Sequence, residues 1–186
     1  TGVQTCAFRS TPITDKAIER VPKVDIDGYS EEQRVEIQKQ HKELLKFSKE
    51  HNQNKEVAFV FREDLTDKTP LLGADDHLDF GTSLSGKGNN LMILHNHPRN
   101  SSFSDVDISL FKNLKSLKTL TIVKNNGDVE FITKGDNFND EVFKLEYNRL
   151  KKKMVKNNTD AEYDKFISKL LNKTKSGVIW SEKNIP

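Results

Sequence analysis

With 186 residues, 34% of them hydrophobic and 31% charged, the chain has apolar material for one core beneath a very polar surface. This points to a single domain with room for an appended helical piece and leaves two full domains cramped. No apolar run approaches the roughly 20 residues of a membrane span, and no charged-then-apolar leader opens the sequence, so a soluble protein is expected. A chain that starts at Thr1 reads as a processed product or as a piece of something longer. The formal charge of +2 is a whole-molecule field that gives no reason to expect nucleic acid as a partner. The single Cys6 excludes an internal disulfide framework and a cysteine-based zinc site within one chain, and suits a reducing compartment.

Residues 1–29 show no sustained period and read as an irregular arm with one short strand. Ser30 followed by Gln33 suits a capping box, and the helix formers from Glu31 to His51 place Ile37, Leu44, Leu45 and Ser48 on one face, predicting a long amphipathic helix. After Asn52 to Asn54, "EVAFVFR" from Glu56 to Arg62 is β-branched and aromatic on both faces, as a strand buried on two sides requires. A polar connection with Pro70 and Gly73 follows. In "HLDFGTSLSGKGNN" the first part reads as a strand and the glycines mark a loop.

"LMILH" from Leu91 to His95 is a second short buried strand. Beyond Pro98, Ser104 and Asp107 resemble a helix start, continued by Leu110, Phe111 and Leu114. "KTLTIVK" and "VEFIT" flank "NNGD", a hairpin signal, because Asn and Gly tolerate the positive φ of a tight turn. From Asn139 to about Lys173 the composition is helical, with a break at Asn157 to Thr159. Arg149, Lys151, Lys152, Lys153 and Lys156, then Lys165, Lys169, Lys173 and Lys175, read as solvated helix faces. The expected architecture is α/β, a mixed sheet sandwiched by helices. It divides into an arm at 1–29, a core at 30–135 and a helical extension at 136–186 packed on that core.

Within this layout, "LMILHNHPRNSSFSDVD" holds the chemistry. Residues two apart in a strand face the same side, so His95 and His97 can present both imidazoles to one point. Asp107, in the first turn of the following helix, lies three and four residues before Leu110 and Phe111 and so shares the buried face, where a carboxylate needs a partner. Either histidine alone reads as a strand-end polar residue, and Asp107 alone as a charge favoured by the helix dipole. Together they form a three-ligand set that leaves one zinc position open for water, whose pKa zinc lowers to about 7. His41, His51 and His77 have no such company and are expected in helix-face or loop roles.

"HNHPRNSSFSDVD" resembles the motif of the JAMM (JAB/MPN) zinc metalloproteases, H-x-H-P, a spacer, then S-x-x-D. It is also similar to the version in bacterial RadC-like proteins. The resemblance implies a JAB/MPN fold with a cytidine-deaminase-like core, one zinc held by His95, His97 and Asp107, and Ser104 supporting the oxyanion. It also implies an upstream glutamate as proton carrier, and Glu56 fits because it opens "EVAFVF" directly after the long helix. The implied activity is hydrolysis of a peptide or isopeptide bond. One departure is visible: the five residues Arg99 to Phe103 between proline and serine are one fewer than usual, so the loop must turn more tightly. The likeness covers about Glu31 to Thr133. "HKELLKFSKEHN", "LDFG" and "LKTLTIVKNNGDVEFITK" further resemble JAB-like domains appended to phage head-morphogenesis and MuF-type toxin proteins, which implies a bacterial cytoplasmic or phage-associated setting.

Other chemistries fit less well. The letters HNH do not make the nuclease of that name, whose histidines are widely separated on a ββα metal finger. A zinc deaminase needs a later P-C-x-x-C that one cysteine cannot supply. The alternative to a peptidase is a non-catalytic RadC-like domain that binds protein or nucleic acid, with the basic C-terminal helices doing the binding. The substrate of a peptidase, whether protein or peptide, is not legible in the chain.

Overall fold

A computed structural model describes residues 10–74, 78–173 and 175–182. Cys6, Asp75, Asp76 and His77 lie outside the described residues. A six-stranded mixed sheet with helices on both faces organises the chain. Four strands follow from continuous apolar runs: β1 (Val57–Phe61), β3 (Leu91–His97), β4 (Leu117–Lys124) and β5 (Val129–Lys134). Two shorter strands, β2 (Thr69–Leu72) and β6 (Val178–Trp180), close the edges in the order β2-β1-β3-β4-β5-β6. Only β3 and β4 run parallel; the other neighbours are antiparallel.

On one face lies the long helix α2 (Glu31–His51), started by the Ser30/Gln33 capping box. Its buried stripe, Ile37, Leu44 and Leu45, packs on Val57, Phe59, Met92, Leu94 and Val123. The opposite face carries α3 (Asp105–Asn113), α4 (Asp140–Met154) and α5 (Asp160–Leu171), capped by Ser104, Asn139 and Thr159. Their Ile108, Phe111, Phe143, Leu150, Phe166 and Leu170 cover Ala58, Val60, Ile93, Leu120 and Ile122. Alternation along β1 and β3 divides the two cores, odd residues of one strand facing α2 and their neighbours facing α3.

Three expectations are corrected. Among its described residues the N-terminal arm holds no strand; it forms the helix α1 (Asp15–Arg20), with Thr14 as N-cap and Ile13, Ile18, Val21 and Ile26 buried against α2. Six residues are too few to show a helical period. The polar connection after β1 contains β2, in which Pro70 is tolerated because the strand is an edge. No strand forms in described residues 78–90, where turns prevail. The predicted hairpin joins β4 to β5, with Gly127 at φ +95°. The carbonyl of Ala17 approaches so closely that a Cβ there would stand 2.3 Å from it, so this position requires glycine both for its φ and for the docking of α1.

Candidate metal centre

The antiparallel register that pairs Ala58 with His95 continues to place Glu56, just before β1, opposite His97 at the end of β3. All three face the side of α3. Their ligand atoms lie within 4.8 Å of one another, and Asp107 reaches in from the first turn of α3. Asp107 Oδ1 is 3.1 Å from His95 Nε2, Asp107 Oδ2 is 3.3 Å from His97 Nε2, and the two imidazole Nε2 atoms are 2.9 Å apart. The four residues are each less than a tenth exposed: Glu56 7%, His95 2%, His97 7% and Asp107 8%. The structure therefore brings together His95, His97 and Asp107, the expected ligands, with Glu56, the expected proton carrier.

The donor set can be tested for fit to a metal. His97 Nδ1 faces the backbone carbonyl of Ser101 at 3.0 Å, an acceptor only, so Nδ1 carries the proton and Nε2 of the neutral ring offers a lone pair. Such an outer acceptor is what fixes a metal-binding histidine's tautomer. Two imidazole nitrogens and a carboxylate then converge on one point. Tetrahedral zinc with bonds of about 2.0–2.1 Å sets its ligand atoms about 3.3 Å apart, close to the observed contacts. The residues fit the group.

Burial pulls the His95 pKa down, but the charge of Asp107, its hydrogen bond and the charge of Glu56 outweigh this and raise it. For Asp107 burial opposes ionisation, yet the charge and hydrogen bond of His95 hold the carboxylate well below its ordinary range.

Ser104 is the N-cap of α3. Its hydroxyl donates to Asp107 Oδ2 at 2.7 Å and accepts the Asp107 N–H at 3.2 Å, while its own N–H donates to the same carboxylate oxygen at 2.6 Å. In this arrangement Ser104 orients the acid rather than pointing a free donor into the cleft. The shortened loop closes through Asn100, which adopts φ +59° and donates its N–H to His97 O at 3.1 Å. Asparagine is among the few non-glycine residues that accept that conformation.

The cluster lies on the wall of a cavity of about 530 Å³, a size suited to a small ligand or a few residues of a peptide. Leu78, Phe80, Leu110 and Ile167 form apolar walls, and α5 adds Asp160, Tyr163 and Asp164. That α5 contributes to this wall was not visible in the sequence, where the likeness stopped near Thr133. His41 is buried on α2 with Nε2 2.7 Å from Thr121 Oγ1, and His51 is exposed on the same helix. Not every lysine is freely solvated: Lys151 Nζ binds Asp105 Oδ2 at 2.7 Å, and Lys173 Nζ lies 2.9 Å from Glu146 Oε2.

No protein-family model matches the chain, and neither the curated proteins nor the solved structures give a match to it. Among the described residues no helix is long and apolar enough to cross a membrane.

Proposed function

We propose that the protein is a JAMM-type zinc metallopeptidase that hydrolyses a peptide or isopeptide bond. The observation that carries this reading is the buried convergence of two imidazole nitrogens and a carboxylate, beside a second carboxylate, at the wall of a cavity. A fold-stabilising role alone gives little reason to bury two acids together, since like charges in low dielectric repel strongly. Zinc bound by His95, His97 and Asp107 would supply a water acidic enough to attack at neutral pH and a Lewis acid for the substrate carbonyl.

The chain's own residues do the rest. Glu56 holds the carboxylate that accepts the proton of the attacking water and delivers it to the leaving amine. Ser101 fixes the His97 tautomer and Ser104 fixes the Asp107 carboxylate, so the ligand atoms are held before any metal arrives. To support an oxyanion, the Ser104 hydroxyl would turn from Asp107 toward the cleft. The apolar walls around Leu78, Phe80 and Ile167 suit side chains flanking a scissile bond and exclude water from the reacting carbonyl.

The test is a screen of peptide and isopeptide substrates with the zinc-loaded protein beside Glu56→Gln. Glu56→Gln should retain its zinc and lose hydrolysis by roughly 10²-fold or more, the scale of a general acid–base contribution. Loss of zinc together with activity would move Glu56 into the ligand set and overturn its assignment as proton carrier.

A further inference from the structure

Between the two histidines stands Asn96, fully buried on the opposite face of β3. An amide side chain in an apolar strand must satisfy both of its ends, and here each end bonds the backbone beside Glu56. Asn96 Oδ1 accepts the N–H of Val57 at 2.7 Å, and Asn96 Nδ2 donates to the carbonyl of Lys55 at 3.2 Å and to Asn125 Oδ1 at 2.8 Å. One side chain therefore grips the peptide groups immediately before and after Glu56. Asn125 is itself held, its Nδ2 donating to Asn54 O at 2.9 Å and Thr11 O at 2.8 Å. Glu56's own backbone is tied to the other side, its N–H to Ala74 O at 3.3 Å and its carbonyl to Gly73 N at 2.8 Å and Asn52 Nδ2 at 2.8 Å.

We propose that Asn96 is a positioning residue that sets the location of the Glu56 carboxylate relative to His95 and His97. The geometry is direct: one strand carries the two imidazoles on one face, and the side chain between them reaches across to fix the strand entry that carries the acid. Histidines and glutamate are thus held in one frame although 39 residues separate Val57 from Asn96. The inference rests on the metallopeptidase reading, because the task of Glu56 comes from it.

Its test combines amide hydrogen exchange with the visible spectrum of the cobalt(II)-loaded protein. In the wild type the Val57 amide should be strongly protected. Asn96→Ala should speed its exchange, keep one cobalt per chain, and shift the absorption bands as Glu56→Gln does. In the Glu56→Gln background Asn96→Ala should add no further shift, whereas a merely structural effect would add. On any substrate found, Asn96→Ala should lower kcat roughly tenfold or more with KM little changed, the usual scale for an outer-sphere residue. Should Asn96→Ala not fold, Asn96→Ser takes its place in the same comparison.

A wild-type Val57 amide that exchanges like an exposed one, or a spectral shift of equal size with and without the Glu56 carboxylate, overturns the inference alone. A wild-type protein that takes up neither cobalt nor zinc overturns the metallopeptidase reading, and this inference falls with it.

Discussion

His41 and His95 stand on opposite faces of the sheet and show how far environment separates two like side chains. His95 has two carboxylates for company and its pKa rises. His41 has only Thr121 Oγ1, and burial, aided by the charge of His95, pushes its pKa down to about 3. His41 is therefore neutral when folded and takes up a proton only on unfolding at pH below about 6.5. The unfolded state binds the extra proton, so this residue lowers stability as pH falls from about 6.5 toward 3, by up to about 1.4 kcal/mol per pH unit. His95 and Asp107 act in other windows: the raised pKa of His95 gives stability that is lost as pH rises through its folded value. The depressed pKa of Asp107 gives stability that is lost only in stronger acid. Urea unfolding of the wild type and His41→Gln at pH 7 and pH 4.5 isolates the His41 contribution as a difference. The variant should show the smaller loss at pH 4.5, and parallel losses would mean that His41 is not a buried neutral group. The convergence of His95, His97 and Asp107 was legible in the sequence because strand alternation and helix spacing are local rules. The grip of Asn96 on Glu56 was not, since it depends on the register between β1 and β3, which no local pattern encodes.

The elements differ in the same way. α2, β1, β3, α3 and the β4–β5 hairpin each carry a local signature, such as the Ser30/Gln33 box or the "NNGD" turn, and the structure has them where these signatures lie. β2 and β6 have four and three residues and become strands by pairing with β1 and β5, a tertiary event. α3 is the element on which the site depends most, and its start is held from α4. Asp105 accepts from Lys151 Nζ at 2.7 Å and from Tyr147 Oη at 2.7 Å, and these contacts push the Lys151 pKa up despite burial. Lys152 and Lys153 are exposed, as expected of a solvated face. Lys151→Glu should thus cost about 1–2 kcal/mol, the range for a charge-assisted hydrogen bond reduced by screening at a half-exposed site. It should also weaken zinc binding by loosening the turn that holds Asp107. Lys152→Glu and Lys153→Glu should change neither by a measurable amount. Denaturant midpoints and zinc titrations of the three variants decide it, and equal effects across them would remove the assigned role from Lys151.

For the molecule as a whole, the segment after residue 135 is more than an appendage by its contacts. Phe143, Leu150, Phe166, Leu170 and Leu171 are buried in the core that covers Ala58, Ile93 and Ile122, and β6 pairs with β5. Each such side chain contributes about 1.5–3 kcal/mol on burial, and five of them together rival the roughly 5–15 kcal/mol net stability of a domain. A chain ending at Gly135 should accordingly lose cooperative unfolding by circular dichroism, and a truncated protein with a sharp transition would show the core at 30–135 to be self-sufficient. On the proposed reading, the fold brings His95, His97 and Asp107 together as zinc ligands, with Glu56 beside them although it lies far away in the sequence, at one cavity wall. Elemental analysis of the purified protein beside Asp107→Ala tests it most directly. About one zinc per wild-type chain and none in the variant is the expected result; no metal in either protein after zinc is added back, or equal metal in both, would overturn the proposed site.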